Sequence, residues 1–217
     1  MSANAAVPAT FSEFLEDLGQ IPPDRVRKDP LPGQATLDDL IGANHNGGLC
    51  ELVDGTLVEK AMGWQESVIA MYLGRLMSDF VVSRNLGFIS GADGFVQLFP
   101  DLVRGPDVAY FSWQRLPNQQ LPATPVPPIV PNIAVEVISI SNTRSEMIRK
   151  NREYFRAGVT QVWMVDPRER TVAVYTSATS YRILNEDQIL TGGDILPGLE
   201  IRLADVFGEL DRQPESH

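Results

Sequence analysis

Two acidic residues stand where a folded core would rather have none. Glu136 lies inside the apolar run Ile133–Val137, and Asp107 heads the run VAYF that follows Gly105-Pro106. Burying an unpartnered carboxylate is costly, so each needs a partner, a turn to cap or a function. Side chains alternate faces along a strand. Asp107 therefore shares a face with Ala109 and Phe111, and Glu136 shares one with Ala134 and Ile138. If the two strands are neighbours, both carboxylates converge on one spot. Hard cations such as Mg²⁺ take oxygen ligands and often only one or two protein carboxylates. Held there, a cation neutralises a phosphoryl group and acidifies water. A turn cap or a buried arginine partner would account for either acid equally well, and spacing alone leaves both readings open.

Between the apolar runs IAVEV and VWMVD lies a segment with helical period. Thr143 and Glu146 have capping-box spacing, and Gly158 is placed as the C-terminal stop. At about 100° per residue, Met147, Ile148, Asn151, Tyr154 and Phe155 fall on one face, which should lie against the sheet. Arg149, Arg152 and Arg156 gather on another as a solvated ridge, a candidate DNA contact surface. Lys150 belongs to neither group and sits at the margin of the apolar face, within reach of the carboxylates. A snorkelling surface lysine is its ordinary alternative.

The other segments supply scaffolding. TFSEFLEDLG and TLDDLIGAN read as short capped helices, and QIPPDRVRKDPLPGQ between them as a linker. Asp54-Gly55 inside ELVDGTLVEK marks a type I′ hairpin, in which Glu51 is available to a site but reads first as a solvated hairpin carboxylate. From Trp64 to Arg84 Ile69, Tyr72, Leu73, Leu76 and Phe80 form a helical stripe. Glu66 lies in its first turn, favoured there by the helix dipole and equally available to a site. Residues 86–111 read as two or three strands. The loop 116–132 contains six prolines, which predicts little regular structure. TVAVYTS and SYRILNED extend the sheet, and TGGDILPGLEIRLADVFGEL closes with a strand and a helix. These elements predict a mixed α/β fold. The domain organisation expected is an N-terminal helix and linker over 1–35, one main domain over 36–210 and a tail over 211–217.

The chain has 217 residues, a formal charge of −10 and one cysteine, Cys50. An internal disulfide is excluded, which fits a reducing compartment. The first residues show no signal-like pattern, and no apolar run approaches the roughly 20 residues of a membrane span. A cytoplasmic protein is the expectation. The negative charge counts against a general nucleic-acid binder, although not against a local basic face. Of 18 basic residues only Lys28, Lys60 and Lys150 are lysines.

The runs VRGPDVAYFSW and PNIAVEVISISNTRSEMIRKNREYFRAGVTQVWMVDP closely resemble the Uma-two family, restriction-endonuclease-like proteins of the PD-(D/E)XK superfamily, mostly bacterial. The resemblance extends over the ELVDG hairpin, the GADGF strand and the GGDILPG tail, roughly residues 50–207. It implies an αβββαβ core with a mixed central sheet flanked by helices, to which the N-terminal hairpin and helices are additions. It also implies phosphodiester hydrolysis of DNA with Mg²⁺ or Mn²⁺. By that resemblance Pro106-Asp107 is the PD element, Glu136 the acid of (D/E)XK, and Glu66 the helical acid. The metal would be held by Asp107, Glu136 and the Val137 carbonyl. The lysine expected two residues after Glu136 is Ile138 here, and Lys150 resembles a lysine migrated to the helix, where it would orient water or stabilise the phosphate. Superfamily nucleases often act as homodimers. The alternative is a degenerate member that keeps the scaffold as a binding or regulatory module.

Overall fold

The computed structural model describes residues 10–61 and 63–214, the side chain of Phe11 excepted. The first nine residues and the last three of the 211–217 tail lie outside that range. Two short helices, α1 (Phe11–Asp17) and α2 (Leu37–His45), precede the hairpin β1 (Cys50–Val53) and β2 (Thr56–Glu59). Next come α3 (Trp64–Ser83), β3 (Gly87–Gly91), β4 (Val96–Phe99), β5 (Leu102–Arg104), β6 (Val108–Ser112) and β7 (Ile133–Val137). Helix α4 (Arg144–Ala157) leads into β8 (Gln161–Asp166), β9 (Thr171–Tyr175) and β10 (Tyr181–Asn185). The hairpin β11 (Ile189–Gly192) and β12 (Leu196–Arg202) and helix α5 (Leu203–Gly208) end the fold.

The main sheet has the order β10-β9-β8-β7-β6-β3. Only β7 and β8 run parallel, and a parallel pair needs a crossover, which α4 supplies. Elements α3, β3, β6, β7, α4 and β8 give the expected αβββαβ order. Strands β4 and β5 are inserted into it and pair with the N-terminal hairpin as a second sheet, β2-β1-β5-β4. Residues 86–111 thus form four strands rather than two or three. The turn Phe99–Leu102 joins two strands of only four and three residues, too short for the period of two to stand out.

Strand parity divides the core. Val108, Tyr110, Ile133, Val135, Val137 and Trp163 face α3, α5 and β12. Ala109, Phe111, Ala134, Val162 and Met164 face α4, where Met147 and Tyr154 meet them. The small sheet covers that second layer with Val53, Val58 and Val96, and turns Leu52, Leu57 and Val103 toward α2. The proline-rich stretch read above as a linker adds Ile21 and Val26 to the second layer. All three capping boxes form, at Thr10, Thr36 and Thr143, and Gly158 ends α4 in the left-handed region at φ 98°. Asp54 and Gly55 have φ of 48° and 70°, the two positive values that a type I′ turn demands.

The buried face of α4 differs from the apolar stripe read in the sequence. Ile148 is 41% exposed, whereas Glu146, Lys150 and Glu153 are buried beside Met147, Asn151 and Tyr154. Charges can occupy a helix interior face when each is paired, and here each is. Arg25 grips Glu146 through two hydrogen bonds of 2.9 and 2.8 Å. Among the described residues no helix is long and apolar enough to cross a membrane.

Candidate active site

Strands β6 and β7 are antiparallel neighbours with Val108 opposite Val135. One step further, that register sets Asp107 beside Glu136, and the Asp107 N–H donates to the Val135 carbonyl at 2.9 Å. The Val137 N–H donates in turn to Asp107 Oδ2 at 2.7 Å. Both carboxylates therefore lie on the α4 side of the sheet, as strand parity predicts. Asp107 looks into a cleft of about 840 Å³ that is also lined by Lys60, Glu66 and Val137. Glu136 lies behind it, 3% exposed.

Lys150 is not at the margin of α4 but inside, 2% exposed. Its Nζ stands 3.2 Å from Glu136 Oε2 and 3.2 Å from Glu51 Oε1. Tyr154, one helical turn on, donates its hydroxyl to Glu136 Oε1. Burial pushes Glu136 toward its neutral form; Lys150 opposes this, and the negative charges of Asp107 and Glu51 add to it, so its pKa is raised. For Lys150 the balance is reversed. Burial disfavours the ammonium, but Glu136 and Glu51 outweigh it and hold the amine protonated. Tyr154 is pushed well up by burial and by the neighbouring Glu136 charge, so its hydroxyl stays a donor.

Two members of this constellation were not placed in it from the sequence. Glu51, read as a solvated hairpin carboxylate, has 0% exposure. Pairing of β1 with β5 brings Arg104 Nη1 to within 2.7 Å of Glu51 Oε2, and the Gly105 N–H donates to Oε1 at 3.1 Å. Burial would raise its pKa, yet Lys150, Arg104 and Lys60 prevail and lower it to about 2. The available signal was the one used for Asp107 and Glu136, an acid flanked by Cys50 and Leu52 in a strand. The second is Lys60, just past β2. Its Nζ lies 2.8 Å from Asp107 Oδ1 and donates to the Ala92 carbonyl at 3.0 Å. Of the two lysines, Lys60 lines the cleft and Lys150 supports from below. Ile138 packs with the second core layer, and the two amines beside the carboxylates come from Lys60, just past β2, and from Lys150 on α4.

Glu66 lines the same cleft from the helix side. Its carboxylate folds back over the start of α3, where a Cβ added at Gly63 would fall 1.9 Å from Glu66 Oε2. A side chain at position 63 would therefore have to displace the Glu66 carboxylate from this position. The arginines do not form a free ridge. Arg149 is 2.7 Å from Glu153 and 2.6 Å from Asp54 and also donates to the Asp17 carbonyl. The Arg156 guanidinium stacks 4.2 Å from the Phe99 ring centroid. Arg152 is exposed. The ridge is spent largely on tying α4 to α1, the hairpin and β4, because those insertions cover the helix face that the sequence left open.

Fold and site together define the class. A mixed sheet with αβββαβ order, an acid pair at adjacent strand ends and lysines closing on it is a nuclease-like α/β architecture. The Uma2 family model, whose description reads "Putative restriction endonuclease", matches residues 35–204, and the chain belongs to that family. A solved structure with the same fold is that of a "putative nuclease belonging to DUF820 from Anabaena variabilis ATCC 29413". It is 20% identical, with a TM-score of 0.70, and the match covers 81% of this chain and 98% of the other. No curated protein matches the chain.

Proposed function

We propose that this protein hydrolyses DNA phosphodiester bonds with a divalent cation held at Asp107 and Glu136. The observation that carries the reading is the side-by-side placement of two carboxylates on β6 and β7, one at the mouth of a cleft and one behind it. A carboxylate offers about four acceptor positions. Asp107 uses one for Lys60 and one for Val137, and Glu136 one for Lys150 and one for Tyr154. Both retain capacity for a further bond. Among the described residues no group of three or more His, Cys, Asp or Glu is gathered to hold a metal. The donor set thus suits a hard ion that keeps several waters, Mg²⁺ or Mn²⁺, rather than a closed cage. Asp107, Glu136 and the Val137 carbonyl would hold it, and when bound it supplies charge neutralisation at the phosphoryl oxygens and acidifies water.

The remaining work falls to the chain itself. Lys60, at the cleft wall beside Asp107, stabilises negative charge that grows on the phosphate during displacement. Lys150 and Tyr154 fix both oxygens of Glu136, so the carboxylate needs no reorganisation when substrate arrives. Glu51, held by Arg104 and Gly105, keeps Lys150 charged. Glu66 is available to accept a proton or orient water at the helix side of the cleft. That the Lys150 amine points inward onto carboxylates, rather than outward to solvent, supports an enzyme over a degenerate binding module.

The test is plasmid nicking with Mg²⁺ or Mn²⁺. The wild type should convert supercoiled to open circles, EDTA should stop it, and Asp107→Ala and Glu136→Ala should each lower the rate at least about a hundredfold, of the order expected for electrostatic groups at a reacting centre. Wild-type activity in both variants would remove the site.

A further inference from the structure

The cleft also bears on which form of DNA it accepts. Two exposed apolar side chains stand at its rim, Trp64 at 86% and Met71 at 75% exposure. They are seven residues apart on α3 and so project from the same side of the helix. An aromatic ring left open to water beside a second apolar side chain marks a contact surface more often than a lone exposed residue does. Cations are few. The cleft holds Lys60 and Arg75, and Arg75 is 3.4 Å from Asp79 on the next turn. Of the α4 arginines, Arg149 is paired within the molecule and Arg156 stacks on Phe99, which leaves Arg152 exposed, and the chain carries a formal charge of −10. Duplex binding draws its affinity from neutralising many phosphates, and this surface offers very few partners for them. A volume of about 840 Å³ is that of a site for one small molecule, large enough for a nucleotide or two.

An unpaired base answers these features, because every base presents a π face to an aromatic side chain whatever its sequence. We propose that the cleft takes an unpaired DNA strand, with a base stacked on Trp64 and an adjoining phosphate at Lys60, next to the cation that Asp107 would hold. Met71 widens the apolar platform, and Arg75 flanks the strand where it leaves the cleft. The proposal rests on the nucleic-acid reading above and refines its substrate from DNA in general to single strands, flaps or locally opened duplex.

The experiment measures fluorescence anisotropy of a labelled twelve-nucleotide thymidine strand and of a labelled duplex of equal length, with the full chain and Ca²⁺ in place of Mg²⁺. The single strand should bind at least about tenfold more tightly than the duplex. Trp64→Ala should weaken it by about tenfold or more, the range for loss of one base–aromatic stack, whereas Trp64→Phe should retain most of the affinity. Its log affinity should fall with log salt by about 1.4, two phosphates at roughly 0.7 each. Equal or tighter duplex binding, or a Trp64→Ala protein that binds the strand like wild type, would overturn the proposal. So would light scattering that shows a dimer dissolved by Trp64→Ala together with no strand binding, since the rim would then be a contact between copies. Strand binding without nicking sinks hydrolysis but not this inference; nicking with Trp64-independent binding does the reverse.

Discussion

Glutamine at position 51 would remove one charge from a place where Arg104, Lys150 and, at longer range, Lys60 lean on it. Glu51 receives Arg104 at 2.7 Å, Lys150 at 3.2 Å and the Gly105 N–H at 3.1 Å, all at 0% exposure. Glu51→Gln keeps the shape, but its amide nitrogen must face one of these donors. The magnitude follows from the pKa, which falls from 4.5 to about 2. Each tenfold shift of a proton equilibrium is worth 1.36 kcal/mol, so the charged form contributes about 3 kcal/mol at neutral pH, in line with the roughly 3–5 kcal/mol lost when a buried pair is broken. The folded pKa lies below the unfolded one. The contribution is therefore complete above about pH 4.5, falls to under half near pH 3, and vanishes below about pH 2. Urea unfolding of wild type and Glu51→Gln at several pH values checks this. The variant should be about 3 kcal/mol weaker at pH 7, with the gap closing as the solution is acidified. A gap that is absent at pH 7, or that stays constant down to pH 3, would refute the electrostatic account of the cluster.

The raised pKa of Glu136 works the other way: its ionisation costs folding free energy, and the cost disappears as pH falls below its unfolded value. Glu136→Gln should therefore lose less stability at pH 7 than Glu51→Gln and show a steeper acid limb than wild type, read in the same titration. Lys150→Met removes the cation between Glu136 and Glu51, leaving Glu51 to Arg104 and Glu136 with the Tyr154 hydroxyl alone, and should cost about 3–5 kcal/mol in urea unfolding at pH 7. Arg149→Ala should lower stability by about 1 kcal/mol, because Asp54 is 59% exposed and that pair is screened. It should leave the salt dependence of strand binding unchanged; a shallower slope would restore the arginine ridge as a DNA surface.

How far the sequence speaks can be judged from particular residues. Asp107 and Glu136 were legible because strand parity is strict, and one neighbour relation between β6 and β7 completes the argument. The caps of α4 were legible for the same reason, since Thr143, Glu146 and Gly158 act locally. Glu51 and Lys60 were not. Their burial depends on β5, inserted some 50 residues later, and on α4 laid over the hairpin, neither of which leaves a local mark. The interior of α4 misled the periodicity because Glu146, Lys150 and Glu153 are buried by virtue of distant partners, Arg25, Glu51 and Arg104. The arginines were read as a solvated ridge on a helix whose outer face is in fact partly covered. Ile138 directed attention to an amine from another element. Lys150 was within reach of that reasoning, and Lys60 became visible only with the fold.

If Asp107 and Glu136 together hold the cation, loss of either carboxylate must change its binding. Titration calorimetry with Mn²⁺ on wild type, Asp107→Asn and Glu136→Gln, each first shown to be folded by circular dichroism, measures that claim without reference to cleavage. One site should fill in the wild type, and its heat should disappear in Asp107→Asn and weaken at least about tenfold in Glu136→Gln. Identical isotherms for all three proteins would place the ion somewhere else and contradict the site.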